Sequence, residues 1–437
     1  MVGRVIFKSN LGMEILRLTK NRTVRNSSWI ISERIISIGL NTIVTILAAR
    51  HLGAENYGII NYGASFVTLF LGVMRLGLDA IIVNELIKNK DKQGEILGTS
   101  VRLRLISGLI SILMISILIL VLNHNSTLIQ AVAAAQGIML IFQAFYILDY
   151  WFQARLESKY VSIAKVLASV FIFMYSLYLL MSGRGVLWFA FSLSISSLVI
   201  SFMLLYFYRK NEGQSLTFSI ETAKYLLGKS HHFIIASIIV SVYLQIDKIM
   251  IVNLLGNVQL GIYSAAYTIC VAWGFLQEAI ITSIRPSIFH AKQYSEDAYL
   301  KKLKQLYFIL FWVSVLISMI ISILAPLLIN VLFGIEYKDA AFVTSIMVWF
   351  MPLSTLGSAR NVWLVSEDNG KYTKYFLIYG VVVNVVLNLL WLPSEGIAGA
   401  AVATVITEVV TLFLAPLLYK TTRRHNRIVI DAILHRM

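Results

Sequence analysis

The sequence predicts an all-α polytopic membrane protein of about twelve transmembrane helices, arranged as two halves of six. Three observations carry this reading: an apolar composition with few charges, a succession of stretches long enough to cross a bilayer, and a one-sided distribution of Lys and Arg. The chain of 437 residues is 58% hydrophobic and only 14% charged, with a mean hydropathy of +0.78. A soluble domain carries roughly 25% charged residues.

A helix needs about 20 mostly apolar residues to span a membrane. Twelve such stretches are legible, at about 27–49, 57–78, 103–122, 127–148, 161–181, 186–208, 231–253, 261–284, 306–328, 340–358, 375–393 and 396–419. They divide the chain into a basic N-terminal segment (1–26), an N-lobe (27–208), a linker (209–230), a C-lobe (231–419) and a basic tail (420–437).

Basic residues concentrate in cytoplasmic loops. With the N-terminus inside, all but six of the 37 Lys and Arg fall in cytoplasmic segments, counting Arg104 and Lys165, near the cytoplasmic ends of spans 3 and 5, with the loops they adjoin. Arg50, Arg184 and Lys338 lie in outer loops, and Arg34, Arg75 and Lys248 lie within spans. The net charge of +15 is therefore a topogenic signal, and it does not point to nucleic acid. Residues 1–26 are basic and mildly amphipathic, suited to the membrane surface, with no signal-peptide pattern. The single cysteine, Cys270, lies in an apolar span and reads as a small buried hydrophobe.

The two halves show in a repeat. "LGAENYGI" begins at Leu52 and "LGNVQLGI" at Leu255, an offset of 203 residues. Each follows the first span of its half, where glycine suits a tight connection. Parallel repeats of this kind build many transporters, with the substrate site between them. All five prolines lie in the second half, and Pro352 and Pro416 fall inside spans 10 and 12, where they should bend them.

A charged side chain at the bilayer centre costs roughly 2.5–3.5 kcal/mol on insertion scales, so such residues tend to face a cavity or a partner. They are Glu33 and Arg34 in span 1, Arg75 and Asp79 in span 2, Asp247 and Lys248 in span 7, Glu278 in span 8 and Glu408 in span 12. Arg75 and Asp79, four residues apart, can pair on one helix. Glu33 and Arg34 point about 100° apart, so at least one faces the bundle interior. No phosphate-binding glycine loop, metal-spaced His/Cys cluster or sizeable outer domain is visible, which argues against direct ATP drive and against an enzyme.

Several stretches are familiar together. "AARHLGAENYGIINYGASF" (48–66), "LDYWFQARLESKY" (148–160), "YLQIDKIMIVNLLGNVQLGIYSAAYTI" (243–269), "VLFGIEYKDAA" (331–341) and "NVVLNLLWLPSEGIAGAAVATVITE" (384–408) occur in order across both halves. The chain thereby resembles Wzx-type oligosaccharide flippases of the multidrug/oligosaccharidyl-lipid/polysaccharide exporter superfamily. The resemblance implies two six-helix lobes around a central cavity in the bacterial inner membrane. It implies a cargo of undecaprenyl-pyrophosphate-linked oligosaccharide for O-antigen or capsule, no bound cofactor, H⁺ or Na⁺ coupling, and a polysaccharide polymerase as partner. Lipid II flippases of the superfamily usually have fourteen helices, so the count points away from that branch. Arg34, Arg75 and Lys248 are then the expected cavity cations for the pyrophosphate, because arginine matches phosphate geometry. Glu33, Asp247, Glu278 and Glu408 are the expected ion-coupling or charge-balancing acids. A monomer is expected, since two repeats already supply the pseudosymmetric interface. The rival reading is a cation-coupled multidrug exporter of the same fold.

Overall fold

The structure is a computed structural model and describes residues 22–434. Among these residues there is no strand. Ten helices are long and apolar enough to cross a membrane, and two of them contain a glycine kink that divides them into two rods. Twelve rods result. The helix Arg22–Met74 breaks at Gly53 into α1 (22–52) and α2 (54–74). Then follow α3 (Gln93–Leu122), α4 (Thr127–Ala154), α5 (Lys159–Met181) and α6 (Val186–Lys210). The second half comprises α7 (Ile220–Leu255), α8 (Asn257–Tyr294), α9 (Glu296–Leu332), α10 (Ala340–Ser366), and α11 (373–395) and α12 (397–417) either side of Gly396. An amphipathic helix, α13 (Arg423–Ile433), ends the described chain. The segment expected to lie on the membrane surface falls largely outside the described residues.

Helices are the local solution because an unpaired peptide group in hydrocarbon costs several kcal/mol. Several rods are longer than the 20-residue minimum. As a result, the expected linker at 209–230 shrinks: α6 runs to Lys210 and α7 starts at Ile220. The segment between them crosses α3 at Gly94 and Gly98, where an added Cβ would meet the backbone oxygens of Ser215 and Thr217. α10 is interrupted just before Pro352, and α12 carries a π-turn at Val410–Leu414 just before Pro416.

The repeat explains the joint between the halves. Gly53 (φ 73°, ψ 170°) and Gly256 (φ 89°, ψ 175°) share a backbone conformation essentially confined to glycine, which turns the chain between α1 and α2 and between α7 and α8. The second glycines act differently. A Cβ at Gly58 would lie 1.9 Å from the Asn257 carbonyl oxygen, and one at Gly261 would lie 1.9 Å from the Ala54 carbonyl oxygen. These contacts are equivalent under the 203-residue offset, so α2 and α8 meet about a pseudo-two-fold axis, backbone against backbone.

The apolar cores are distributed accordingly. At the glycine end one core joins both halves, running from Tyr57, Tyr62 and Phe66 through Ile251, Tyr263, Tyr337 and Ile397. At the opposite, basic end there are two cores: one in the first half around Leu97, Trp151 and Tyr208, and one in the second around Tyr307, Trp363 and Phe376. The lobes are thus fused at one end and separately packed at the other. Polar links cross the basic end. Lys229 at the foot of α7 donates to the buried Glu85 at 2.5 Å, and Thr222 donates to Glu95. Leu226 of α7 packs into the first-half core.

α13 docks against α9 and α10 at the basic end. His425 is fully buried against Tyr307 (3.1 Å) and the Trp363 ring. Burial, reinforced by the positive Arg360, lowers its pKa from an ordinary 6.5 to about 3.

Two predictions follow from this packing. Gly58→Ala and Gly261→Ala should each destabilise the bundle by about 1–3 kcal/mol through overpacking. Gly357→Ala, where nothing lies within 4 Å, should be neutral or stabilising. Melting curves in detergent decide this, and equal behaviour of all three would refute the close-contact role. The docking of α13 should weaken as pH falls from about 6.5 towards 3, because the undocked histidine binds a proton that the docked one refuses. Hydrogen exchange across 423–433 should speed up over that window in the wild type and stay flat in His425→Phe.

Candidate functional site

The intramembrane charges sort into three environments. The first is the boundary between α1 and α8. Arg34 reaches Glu278 at 3.4 Å, with both side chains about half exposed (48% and 53%). Arg34 lies nineteen residues below Gly53, or about 28 Å down α1 at 1.5 Å per residue, which places it near the basic edge of a ~30 Å hydrocarbon layer. Around the pair lies a groove of about 200 Å³ walled by Ile30, Ile31, Ile35, Phe275, Ala279 and Thr282. On the N-lobe side of α1 is a polar cavity of about 440 Å³, lined by the buried Glu33 and by Asp149 and Lys165. Arg34 lines both spaces, whereas Glu33 lines only the polar cavity.

The second environment is the boundary between α2 and α7. A crevice of about 430 Å³ is lined by Arg75, Asp79, Gly72 and Ser237, among others. The expected Arg75–Asp79 pair exists at 3.7 Å, but not on one helix: α2 stops at Met74, and Asp79 sits on the short turn Leu78–Ala80. Asp79 is bonded more closely to Arg104, a buried arginine on α3. Counting basic residues by loop assigns Arg104, the second residue of span 3, and Arg360, just past span 10, to the cytoplasmic loops. Both are buried within helices.

The third environment is the interior of the C-lobe. Asp247 accepts from Asn388 (2.6 Å), Thr404 (3.2 Å) and Tyr263 (3.3 Å), and Asn388 also donates to the Asn384 carbonyl oxygen at 3.0 Å. The Asn388 carbonyl oxygen is buried and has no partner. A carboxylate, two amide oxygens and a hydroxyl on α7, α11 and α12 make a donor set for a hard cation. Glu408, a turn further along α12, accepts from Tyr243 at 2.8 Å, while Arg360 donates to the Thr411 carbonyl inside the π-turn. Lys248 projects the other way from Asp247 and sits over the Tyr267 ring, 5.2 Å from its centroid. Among the described residues no carboxylate lies within ion-pair distance of Lys248.

The structure thus brings Arg34 to Glu278, and Asp247 to a cage of neutral oxygens. It does not gather Arg34, Arg75 and Lys248 into one cavity: Arg34 and Arg75 line separate spaces on opposite flanks of the lobe boundary, and Lys248 lines neither. The cage residues Asn384, Asn388, Thr404 and Tyr263 went unread because they carry no charge. The Asn-x-x-x-Asn spacing in an apolar span was the available signal.

Comparison with known proteins is consistent with this architecture. Residues 23–292 match the profile of the family described as polysaccharide biosynthesis protein. No curated protein matches the chain. Among solved structures, the lipid II flippase MurJ in an inward closed conformation superposes with a TM-score of 0.72 at 14% identity, over 94% of this chain and 90% of that one. An inward-facing multidrug resistance MATE family transporter of the MOP superfamily gives 0.67 at 16%, over 93% and 99%. A MOP superfamily transporter from Pyrococcus furiosus, whose binding pocket is described as reversed in polarity, gives 0.65 at 15%, over 95% and 98%. These likenesses establish the two-lobed transporter fold.

Proposed function

This chain belongs to the polysaccharide biosynthesis protein family, and on that premise we propose that it is a flippase for undecaprenyl-pyrophosphate-linked oligosaccharide repeat units. It moves them across the bacterial inner membrane by alternating access, for a surface polysaccharide such as O-antigen or capsule. The basic end, with both termini, faces the cytoplasm. The protein acts as a monomer beside a polymerase and performs no covalent chemistry.

The observation that carries this reading is the Arg34–Glu278 pair in its apolar groove between the lobes. A diphosphate cannot cross bare hydrocarbon, and a guanidinium at the lobe boundary lowers that barrier. An exposed ion pair is worth only about 0–1 kcal/mol, so an arriving diphosphate can displace Glu278 cheaply. Arg75 and Lys248 are further cations along the path, and Glu33 and Glu408 balance charge. A multidrug exporter fits less well, because a pocket for cationic drugs would not present arginine on both flanks.

The Asp247 cage is our candidate for the coupling ion, with Na⁺ favoured over H⁺ because the amide that donates to the carboxylate also carries a buried oxygen with no donor of its own. Na⁺ should raise the melting temperature of the wild type relative to N-methylglucamine, and should do nothing for Asp247→Asn. A Na⁺ effect that survives the substitution removes the assignment.

Flipping itself is tested on spheroplasts with a membrane-impermeant oxidising probe for the glycan. Outer-leaflet exposure should vanish on deletion of the gene, return with the wild type, and fall at least about tenfold in Arg34→Ala at equal protein level, the scale of one lost charge-assisted contact. Exposure independent of the protein would overturn the flippase reading.

A further inference from the structure

The polar cavity behind α1 is not accounted for by cations, coupling ions or the lipid chain. It lies at the basic end of the N-lobe between α1, α4 and α5, with the short helix Ile82–Lys88 contributing Val83. Its volume of about 440 Å³ is in the range of small-molecule sites. We propose that it is a carbohydrate subsite, holding the sugar attached directly to the lipid diphosphate. This inference rests on the flippase reading and names part of its substrate.

The chemistry of the walls selects the ligand class. Both donors and acceptors line the space. Glu33 and Asp149 carry carboxylate oxygens, and Asn26, Gln153 and Lys165 carry N–H groups, of which Gln153 (2.9 Å) and Lys165 (3.4 Å) each direct one to Asp149 and keep further N–H groups for a ligand. The hydroxyl of Ser158 is 3% exposed and has no partner. The lining carries two carboxylates, Glu33 and Asp149, and two cations, Arg34 and Lys165, so its formal charges balance and it does not favour an anion. A bare cation would meet the Lys165 ammonium, which lies 3.4 Å from Asp149 and already neutralises it. A neutral polyhydroxylated ring satisfies both kinds of group, because every hydroxyl donates and accepts. Among the described residues no aromatic ring lines the cavity, so hydrogen bonds rather than stacking would set the choice of sugar.

Position makes the same selection. Ile30 and Arg34, one turn apart on α1, line both this cavity and the groove against α8. Across that single face of α1 the order is apolar groove, guanidinium, polar cavity. A polyprenyl diphosphate sugar has the same order of parts: hydrocarbon, diphosphate, ring. With the diphosphate on Arg34, the chain extends into the groove and the first ring enters the cavity.

The test compares two lipids on the full-length protein in nanodiscs by native mass spectrometry. One is synthetic undecaprenyl diphosphate. The other is the lipid-linked oligosaccharide extracted from producing cells that lack this protein. The wild type should bind the glycosylated lipid about tenfold more tightly, the scale of one or two net hydrogen bonds. Gln153→Leu, which removes a donor, and Ser162→Phe, which fills the space, should each reduce that ratio to about one. Both should keep the wild-type affinity for undecaprenyl diphosphate, which also reports that they are folded. A ratio of one in the wild type, or a ratio untouched by Gln153→Leu, overturns the subsite. If the variants instead abolish a Na⁺-dependent change in lipid binding and leave the ratio intact, the cavity is a cation site and the proposal fails. If the wild type binds neither lipid, it is the flippase reading that falls.

Discussion

Leaving a buried carboxylate without a partner costs several kcal/mol, and the interior of this bundle is organised around avoiding that. Five acids in or beside the membrane are answered in different ways. Asp79 takes a buried arginine, Glu85 a lysine from the other half of the chain, Asp247 neutral hydrogen-bond donors, Glu408 a tyrosine, and Glu278 an exposed arginine. Asp79 and Glu85 are met by full opposite charges, with one member of each pair buried: Arg104 and Glu85 are both 2% exposed. Asp247 is met by uncharged donors. Glu278 and its arginine are both about half exposed.

The same logic separates the two ends of the molecule. Where the lobes share one apolar core, parting them exposes hydrophobic surface, and glycines let the backbones close tightly. Where they have separate cores, they touch through ion pairs and small residues, which water can replace. A transporter that alternates between two open states needs at least one end whose closure is polar and shallow, and the Arg34–Glu278 contact has that character.

Much of this was legible in the sequence. The number of crossings followed from hydropathy alone, and the repeated L-G-x-x-x-x-G-I marked the joint. Only the first glycine of each repeat was understood in advance. The role of Gly58 and Gly261 depends on contacts between residues about 200 positions apart, which periodicity does not encode. Glu33, Arg34, Asp247, Glu278 and Glu408 stood out because charge in an apolar run is conspicuous. Their partners did not, because Asn384, Asn388, Thr404 and Tyr263 are ordinary in a membrane helix until three helices bring them together. Arg360 falls outside span 10 for a geometric reason: its helix continues beyond the minimum needed to cross, and the arginine is buried by neighbours instead of lying in a loop.

The course of α7 has a mechanical consequence. Its first three turns are bonded and packed to the N-lobe through Thr222, Leu226 and Lys229, while its far half carries Asp247 into the C-lobe. It is a single 36-residue helix with no proline. Such a rod behaves as a lever with its handle in one lobe and its tip in the other. A change in the angle between the lobes must either flex this rod or shift Asp247 against α11 and α12. The setting of Asp247 and the lobe angle are therefore geared to each other by one stretch of backbone, without any chain of intermediate side chains to relay the signal.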